Sequence, residues 1–417
     1  MRLTRPDGST VHVAYCTNVH PATRLEGDDG ILAQLEEHAA AVRDALGLTA
    51  AGEPLGVGLW LPADVADSLA ADADAGGPAG GPLRTLRETL DRLGLEVVTL
   101  NAFPYGDFHG QRDKRAVYHP DWTAPERLAH TLTCARVLTA LLPDDVATGT
   151  VSTLPLAWRE PWDDDRRAAA GAHLAALDTG LRRLAEATGR RVRVGFEPEP
   201  GCVWEVLDDA LHPTRGLGAL LAEHGVAPAA DGALGVCLDT CHSAVGFDDL
   251  TDAAARLARA DVGVVKLQAS AAVHVERPAD PAGRAAVAAF DEARFLHQVR
   301  ELAADGTMDA VDDVPDALRC LPGEGLWRCH VHAPLHARWD GPARPLTGPL
   351  ETALDTLVVG SAPPVRVDVV EVETYTWSVL PAEHRVAAGG TRLADGVAAE
   401  LAWVRDRLTC PTATEVA

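Results

Sequence analysis

Short runs of β-branched and small apolar residues recur along the chain at intervals too long for hairpins. They read VHVAYCTN (11–18), LGVGLWL (55–61), EVVTLNAF (96–103), TGTVSTL (148–154), RVRVGFEP (191–198), LGVCLDT (234–240), VGVVKLQ (262–268) and VRVDVVEVET (365–374). Between them apolar residues repeat at helical spacing, and strands alternating with helices call for a parallel sheet with crossover helices. The eight β/α units predict a (β/α)8 TIM barrel, with residues 1–417 as a single domain.

The helical segments carry their own signals. Ile31, Leu35, Val42 and Leu46 keep one face, as do Leu128, Leu132, Ala135 and Leu138. Thr123 and Glu126 have capping-box spacing around Pro125, which suits a first helical turn. Leu174, Leu177, Leu181 and Leu184 form a stripe that Gly189 should end, and Leu393, Val397, Leu401, Val404 and Leu408 mark a last helix over 392–408 that closes the outer ring. The low-complexity stretch ADADAGGPAGGP (71–82) reads as a surface loop. Residues 269–345 are too many for one βα connection. They read as an insertion covering the barrel mouth, with a helix near 288–304 and an extended run LWRCHVHAPLH over 326–336.

Charge narrows the function classes. A net charge of −24 repels phosphate backbones and anionic bilayers, and no Lys/Arg cluster offsets it, so a small-molecule metabolite rather than nucleic acid is the expected partner. The basic residues near the start precede no apolar run and no segment reaches membrane-spanning length, so neither a secretory signal nor a membrane span is expected and the expected location is cytoplasmic. The eight cysteines are scattered without a CxxC pair, which argues against a zinc knuckle. Lysine occurs only as Lys114 and Lys266, and the second lies inside an apolar strand.

In a closed parallel barrel the catalytic groups gather where the strands end at their C-termini. There the chain places Glu197, Asp239, Gln268 and Glu373, all oxygen donors. Strand alternation puts Glu371 with Glu373, and Lys266 with Gln268, on the face toward the barrel axis. Singly, each strand-end carboxylate reads as a cap or a salt bridge. Several on separate strands aimed at one axis would repel unless a cation offset them, and such ligands with imidazoles nearby suit Mn2+, Mg2+ or Zn2+. His242 follows Asp239 by three residues, and His330 and His332 share a face of the extended run, so each is a candidate for the same site. Lys266 is open to two readings, a barrel-filling ion pair with Glu371 or a substrate contact. Trp60 and Asn101, at the ends of the second and third strands, are candidate substrate contacts. Trp60, Phe103, Tyr105, Trp158, Trp204 and Trp377 fit rim packing as well as sugar stacking.

GFEPEPG, GVCLDTCH and EVETYTW, in that order at strand ends, resemble the xylose isomerase-like barrel superfamily, which includes ketose 3-epimerases and endonuclease IV; the likeness extends over residues 10–408. Within it the chain most resembles the Ebo-cluster metabolite-traffic proteins, through YCTNVHP, STLP, CLDTCH, VKLQ, FLHQVREL and CHVHAPL. The resemblance implies that Glu197, Asp239 and Glu373 bind a divalent metal ion, that Glu197 and Glu373 shuttle protons on opposite faces of a substrate, and that His242 binds substrate oxygens. Related epimerases carry a metal-binding histidine where this chain has Gln268, so either Gln268 or His332 completes the site. The implied function is isomerisation or epimerisation of a polyol, ketose or related metabolite within an Ebo-type biosynthesis or export pathway. A non-catalytic metabolite-binding or trafficking role is the alternative, and association with other pathway proteins is left open. An endonuclease IV-like activity ranks last against the acidic charge.

Overall fold

The structure is a computed structural model that describes residues 1–76, 80–110, 112–339, 341–388 and 392–409. Its strands, in chain order, are β1 (Arg2–Thr4), β2 (Thr10–Cys16), β3 (Leu55–Trp60), β4 (Leu95–Asn101), β5 (Thr148–Thr153), β6 (Arg191–Phe196), β7 (Leu234–Asp239), β8 (Val264–Ala269), β9 (Ala272–Val275), β10 (Val299–Leu302), β11 (Met308–Val311), β12 (Leu326–Cys329), β13 (Ala343–Leu346) and β14 (Val369–Val372). Strands β2 to β8 and β14 lie side by side in parallel, and β2 pairs with β3 to close the ring. This is a (β/α)8 barrel, and its strands are those the hydrophobic runs predict. Strand β1 adds a short antiparallel ribbon on β2.

The barrel interior is polar. Thr99, Thr150, Ser152, Lys266, Gln268 and Glu371 are all buried there, while Val97, Val151, Val194, Val236 and Leu267 belong to the apolar core. Lys266 ion-pairs with Glu371 and donates to Thr99 Oγ1 at 3.1 Å. Gly58 on β3 makes room for this pair, because a Cβ there would collide with Glu371 Oε1.

The stripe of Leu174, Leu177 and Leu181 is buried in the helix Asp164–Thr188, which ends on Gly189 at φ 70°. The last helix is Leu393–Thr409. Three local expectations are corrected. The helix Pro125–Leu141 does begin on proline, but Thr123 forms no capping box, because its amide and hydroxyl both donate to Asp121 Oδ1 at 2.8 and 2.5 Å. Residues 71–74 and Pro82 belong to helices rather than to a loop; residues 77–79 lie outside the described residues. The helix expected near 288–304 is instead Pro281–Ala288 followed by strand β10, because Val299–Leu302 finds partners on both sides in β11 and β12.

Strands β9 to β13 form an antiparallel sheet in the order β11-β10-β12-β9-β13, inserted between β8 and β14. Charged contacts hold it against the loops after β4, β5 and β6. Asp312 accepts from Arg159 at 2.7 Å and Arg115 at 2.9 Å, Asp313 pairs with Lys114 at 2.6 Å, and buried Arg300 pairs with Glu205 at 3.0 Å. No helix among the described residues is long and apolar enough to cross a membrane.

One buried imidazole outside the barrel gives an acid-stability prediction. His130 is buried in the helix Pro125–Leu141, edge-on to Tyr105 and beside Cys134 and Arg127; burial, with the Arg127 charge second, lowers its pKa to about 3. As pH falls below the ordinary histidine value the unfolded chain takes up a proton that the folded chain refuses. Stability is therefore retained above about pH 6.5 and lost toward pH 3, by about 1.4 kcal/mol per pH unit for this residue. Urea denaturation of His130→Phe beside the parent between about pH 6 and pH 4 should show a slope shallower by that amount. Parallel slopes would place a charged His130 in the folded state.

Candidate metal centre

Asp239 ends β7 and caps the short helix Thr240–Val245, accepting from the His242 amide through Oδ1 at 2.8 Å. Ser270, just past β8, donates to the same oxygen at 2.8 Å. The DTCH spacing is thus an N-cap that aims His242 back over the strand end, and Asp239 Oδ2 is left buried without a hydrogen-bond partner among the described residues. Glu197 follows β6. Its backbone N–H continues the ladder to Thr153 at 2.9 Å, and its carboxylate Oε2 is likewise buried and unpartnered. Glu373 follows β14, and its Oε1 accepts from Asn18 at 2.6 Å and Asn101 at 3.1 Å. One oxygen each from Glu197, Asp239 and Glu373 fall within 4.8 Å of one another.

Four carboxyl groups, those of Glu197, Asp239, Glu371 and Glu373, are buried near one ammonium, Lys266, which Glu371 already engages. Burial, then the charges of Glu373 and Asp239, push the Glu197 carboxyl well above its ordinary range; burial and Asp239 do the same to Glu373. Burial would also raise Asp239, but His242, His332, the His242 amide and Ser270 together hold it below the ordinary value. Burial raises Glu199 to about 8 against the hydrogen bonds it receives from Tyr118 and Gln298. His242 is lowered to about 4 by burial, and His330 and His332 shift in the same direction for the same reason.

Glu197, Glu199, Glu373 and the three imidazoles face an open cavity, whose lining does not include Asp239 or Glu371. Asn18, Asn101, Glu197, Glu199, His242, His330, His332 and Glu373 supply its polar wall, and Phe103, Phe108, Tyr118, Phe295 and Tyr375 its aromatic one.

The sequence-derived candidates divide accordingly. Glu197, Asp239 and Glu373 come together, and His332 joins Asp239 and His242 in a group within the same 4.8 Å limit. Asn101 lines the cavity and holds Glu373. Gln268 lies between Asp239 and Glu371 in register, fully buried, with both amide atoms unpartnered among the described residues; it is not in the cavity wall. Lys266 and Trp60 stand apart from this group. Lys266 lies inside the barrel on Glu371, and Trp60 donates to Pro104 O at 3.1 Å with its ring against Phe108, so neither lines the cavity.

Asn18, Glu199 and Tyr118 join the site without being among the sequence-derived candidates. Asn18 stands in the YCTN segment just past β2 and Glu199 in the EPEP segment past β6, so both had the strand-end signal. Tyr118 lies in a loop whose approach no local pattern announces; its hydroxyl donates to Glu199 at 2.6 Å. Beyond the cavity, Glu400 of the last helix ties the surrounding loops together, accepting from Leu335 N at 3.1 Å, Thr374 Oγ1 at 2.6 Å and Trp377 Nε1 at 2.9 Å.

A (β/α)8 barrel with buried carboxylates and imidazoles at its C-terminal strand ends is the class of protein that fold and site define. No protein-family model matches the chain, and no curated protein sequence matches it. Among solved structures it is similar to the zinc-bound IolI protein, with 12% identity over 95% of this chain and 97% of that one and a TM-score of 0.43. It is also similar to the apo form of the 3-keto-D-glucoside 4-epimerase YcjR from E. coli, with 13% identity over 95% and 99% of the two chains and a TM-score of 0.41. A third likeness is to an AP endonuclease of family 2 from Brucella melitensis, with 17% identity over 62% and 78% and a TM-score of 0.35. The fold assignment rests on the chain's own closed strand order, not on these likenesses.

Proposed function

We propose that the barrel binds a divalent cation, Mn2+, Mg2+ or Zn2+, between Glu197, Asp239 and Glu373 and isomerises or epimerises a small ketose, polyol or related metabolite. The observation that carries this is the convergence of those three buried carboxylates, two of which have a buried oxygen without a hydrogen-bond partner among the described residues. The fit is chemical as well as spatial, because Lys266 is already engaged by Glu371 and the remaining negative charge calls for a counter-charge. His332 completes the set better than Gln268, since it groups with Asp239 and lines the cavity.

A bound cation of this kind lowers the cost of negative charge on a substrate oxygen during enolisation. Glu197 and Glu373 come from strands separated by β7 and β8, so a substrate between them meets a carboxyl on either side. One removes a carbon-bound proton and the other returns it, which needs one carboxyl ionised and one protonated at the outset. Asn18 and Asn101 hold Glu373 in place, His242 presents an imidazole to substrate hydroxyls, and the aromatic wall stacks on the C–H face of a sugar. The insertion belongs with the barrel as one domain and acts as its cover, in a cytoplasmic protein.

The aromatic wall favours a second reading, in which an EboE-type barrel binds or hands on a lipid-like intermediate of an Ebo-type pathway without transforming it. Incubating the metal-loaded protein with a sugar panel in deuterated water separates the two. Catalysis predicts C–H exchange beside the carbonyl, reduced about 10²–10⁴-fold in Glu373→Gln. Absence of exchange across the panel, with tight binding of an apolar product, would favour the carrier.

A further inference from the structure

A separate pocket lies at the other end of the barrel, where the strands begin. His12 of β2, Thr150 of β5, Arg193 of β6, Val264 of β8 and Val369 of β14 contribute to its wall. None of the residues that line it lines the cavity at the mouth.

Three arginines reach this pocket, and two of them are neutralised. Arg2 pairs with Glu96 at 2.8 Å and with Asp145, and Arg366 pairs with Asp7 at 2.6 Å and Asp368 at 3.3 Å. Arg193 has no such partner. Its Nε donates to Gly232 O at 2.9 Å and its Nη2 to Ala230 O at 2.8 Å, while its Nη1 has no hydrogen-bond partner and no carboxylate pairs with the guanidinium among the described residues. The two carbonyls orient the group without cancelling its charge. Gly263, just before β8, leaves room for it, because a Cβ there would stand 2.7 Å from Nη2. Burial, with the Arg191 charge second, lowers the Arg193 pKa to about 10, so the group is still cationic at neutral pH. A partly buried cation without a counter-charge is costly. Two of its neighbours in the wall also lack partners. Thr150 stands opposite Arg193 in the strand register and is buried with Oγ1 unpartnered among the described residues. His12 Nδ1 is buried 3.9 Å from Glu96 Oε1, beyond hydrogen-bond reach. Buried polar atoms are normally satisfied, so these positions call for a ligand that brings acceptors.

We propose that this pocket at the strand starts binds a phosphate group, held by Arg193 and Thr150 with His12 beside them. A guanidinium supplies a planar fork of donors that matches phosphate oxygens, and a threonine hydroxyl adds a further donor. The carboxylates that also line the pocket, Asp145 and Asp368, are each held by other arginines and leave Arg193 unclaimed. The site does not rest on the chemistry proposed at the mouth, since the two share no lining residue. Its occupant is a second ligand, which stabilises the folded chain by binding it.

The test uses full-length protein stripped of metal, so that no ion at the mouth can hold the anion. It is titrated with inorganic phosphate, glycerol 3-phosphate and acetate, and binding is read by isothermal titration calorimetry and by thermal unfolding. One phosphate per chain is expected with a Kd of about 1 mM or below, weakened about tenfold in Arg193→Met and to a lesser degree in Thr150→Val. Tighter binding of glycerol 3-phosphate identifies the phosphate group of a metabolite as the occupant, and tighter binding of inorganic phosphate identifies the free ion. No phosphate binding in the parent, equal affinity in Arg193→Met, or acetate bound as tightly as phosphate overturns the inference. Should Arg193→Met fail to fold, Thr150→Val decides, and an unchanged phosphate affinity there overturns it.

Discussion

Lys266→Met is expected to destabilise the barrel by about 3–5 kcal/mol, a large fraction of the stability of any single domain. The substitution leaves Glu371 fully buried, beside Gly58 and near the carboxylate of Glu373. Although burial disfavours the ammonium, Glu371 together with the Cys237 and Cys16 side chains raises the lysine pKa above its ordinary value, so Lys266 keeps its charge in the folded state. The double variant Lys266→Met/Glu371→Leu removes both charges and should recover to within about 2 kcal/mol of the parent, because an apolar pair of similar volume avoids the desolvation cost. Urea unfolding of the parent, both single variants and the double variant closes the cycle. A single variant as stable as the parent would mean that water reaches the barrel interior.

The second large effect is one of opposite signs in the same residue. Saturating the metal-free protein with Mn2+ or Zn2+ at about 100 times the dissociation constant should stabilise it by about 2.7 kcal/mol, and chelation should reverse this. Glu197→Gln should lose that response while the metal-free variant is at least as stable as the metal-free parent, since it relieves repulsion with Glu373 and Asp239. Thermal unfolding with and without metal measures both signs. A metal-free variant that melts well below the parent would instead make Glu197 a structural hydrogen-bonding group.

Where local chemistry settles an element, the sequence was sufficient. Each barrel strand is buried on both faces and bounded by turn residues, so its apolar run stands out without knowledge of its neighbours. Asp239 and His242 were legible together for the same reason, because the cap and the histidine it aims lie within one turn of helix. The positions of Glu197 and Glu373 follow from strand ends, since closing a parallel barrel brings those ends to one mouth whatever the loops do. Residues 288–304 misled because the alanine-rich segment has helical spacing, whereas the partners that make Val299–Leu302 a strand are supplied by β12, more than twenty residues away in the chain.

The sequence by itself determined the barrel, its strand order and the carboxylates at its mouth, because those depend on periodicity and on contacts within single β/α units. Tertiary structure alone decided which of two roles Lys266 plays, since its partner Glu371 arrives from the last strand. It also decided that His330 and His332 swing in beside His242, carried there by an inserted sheet anchored through Asp312, Asp313 and Arg300. The physical reason is the same in both cases: a buried charge or lone pair is defined by what stands opposite it, and here the opposing group is 88 or more residues away in the chain.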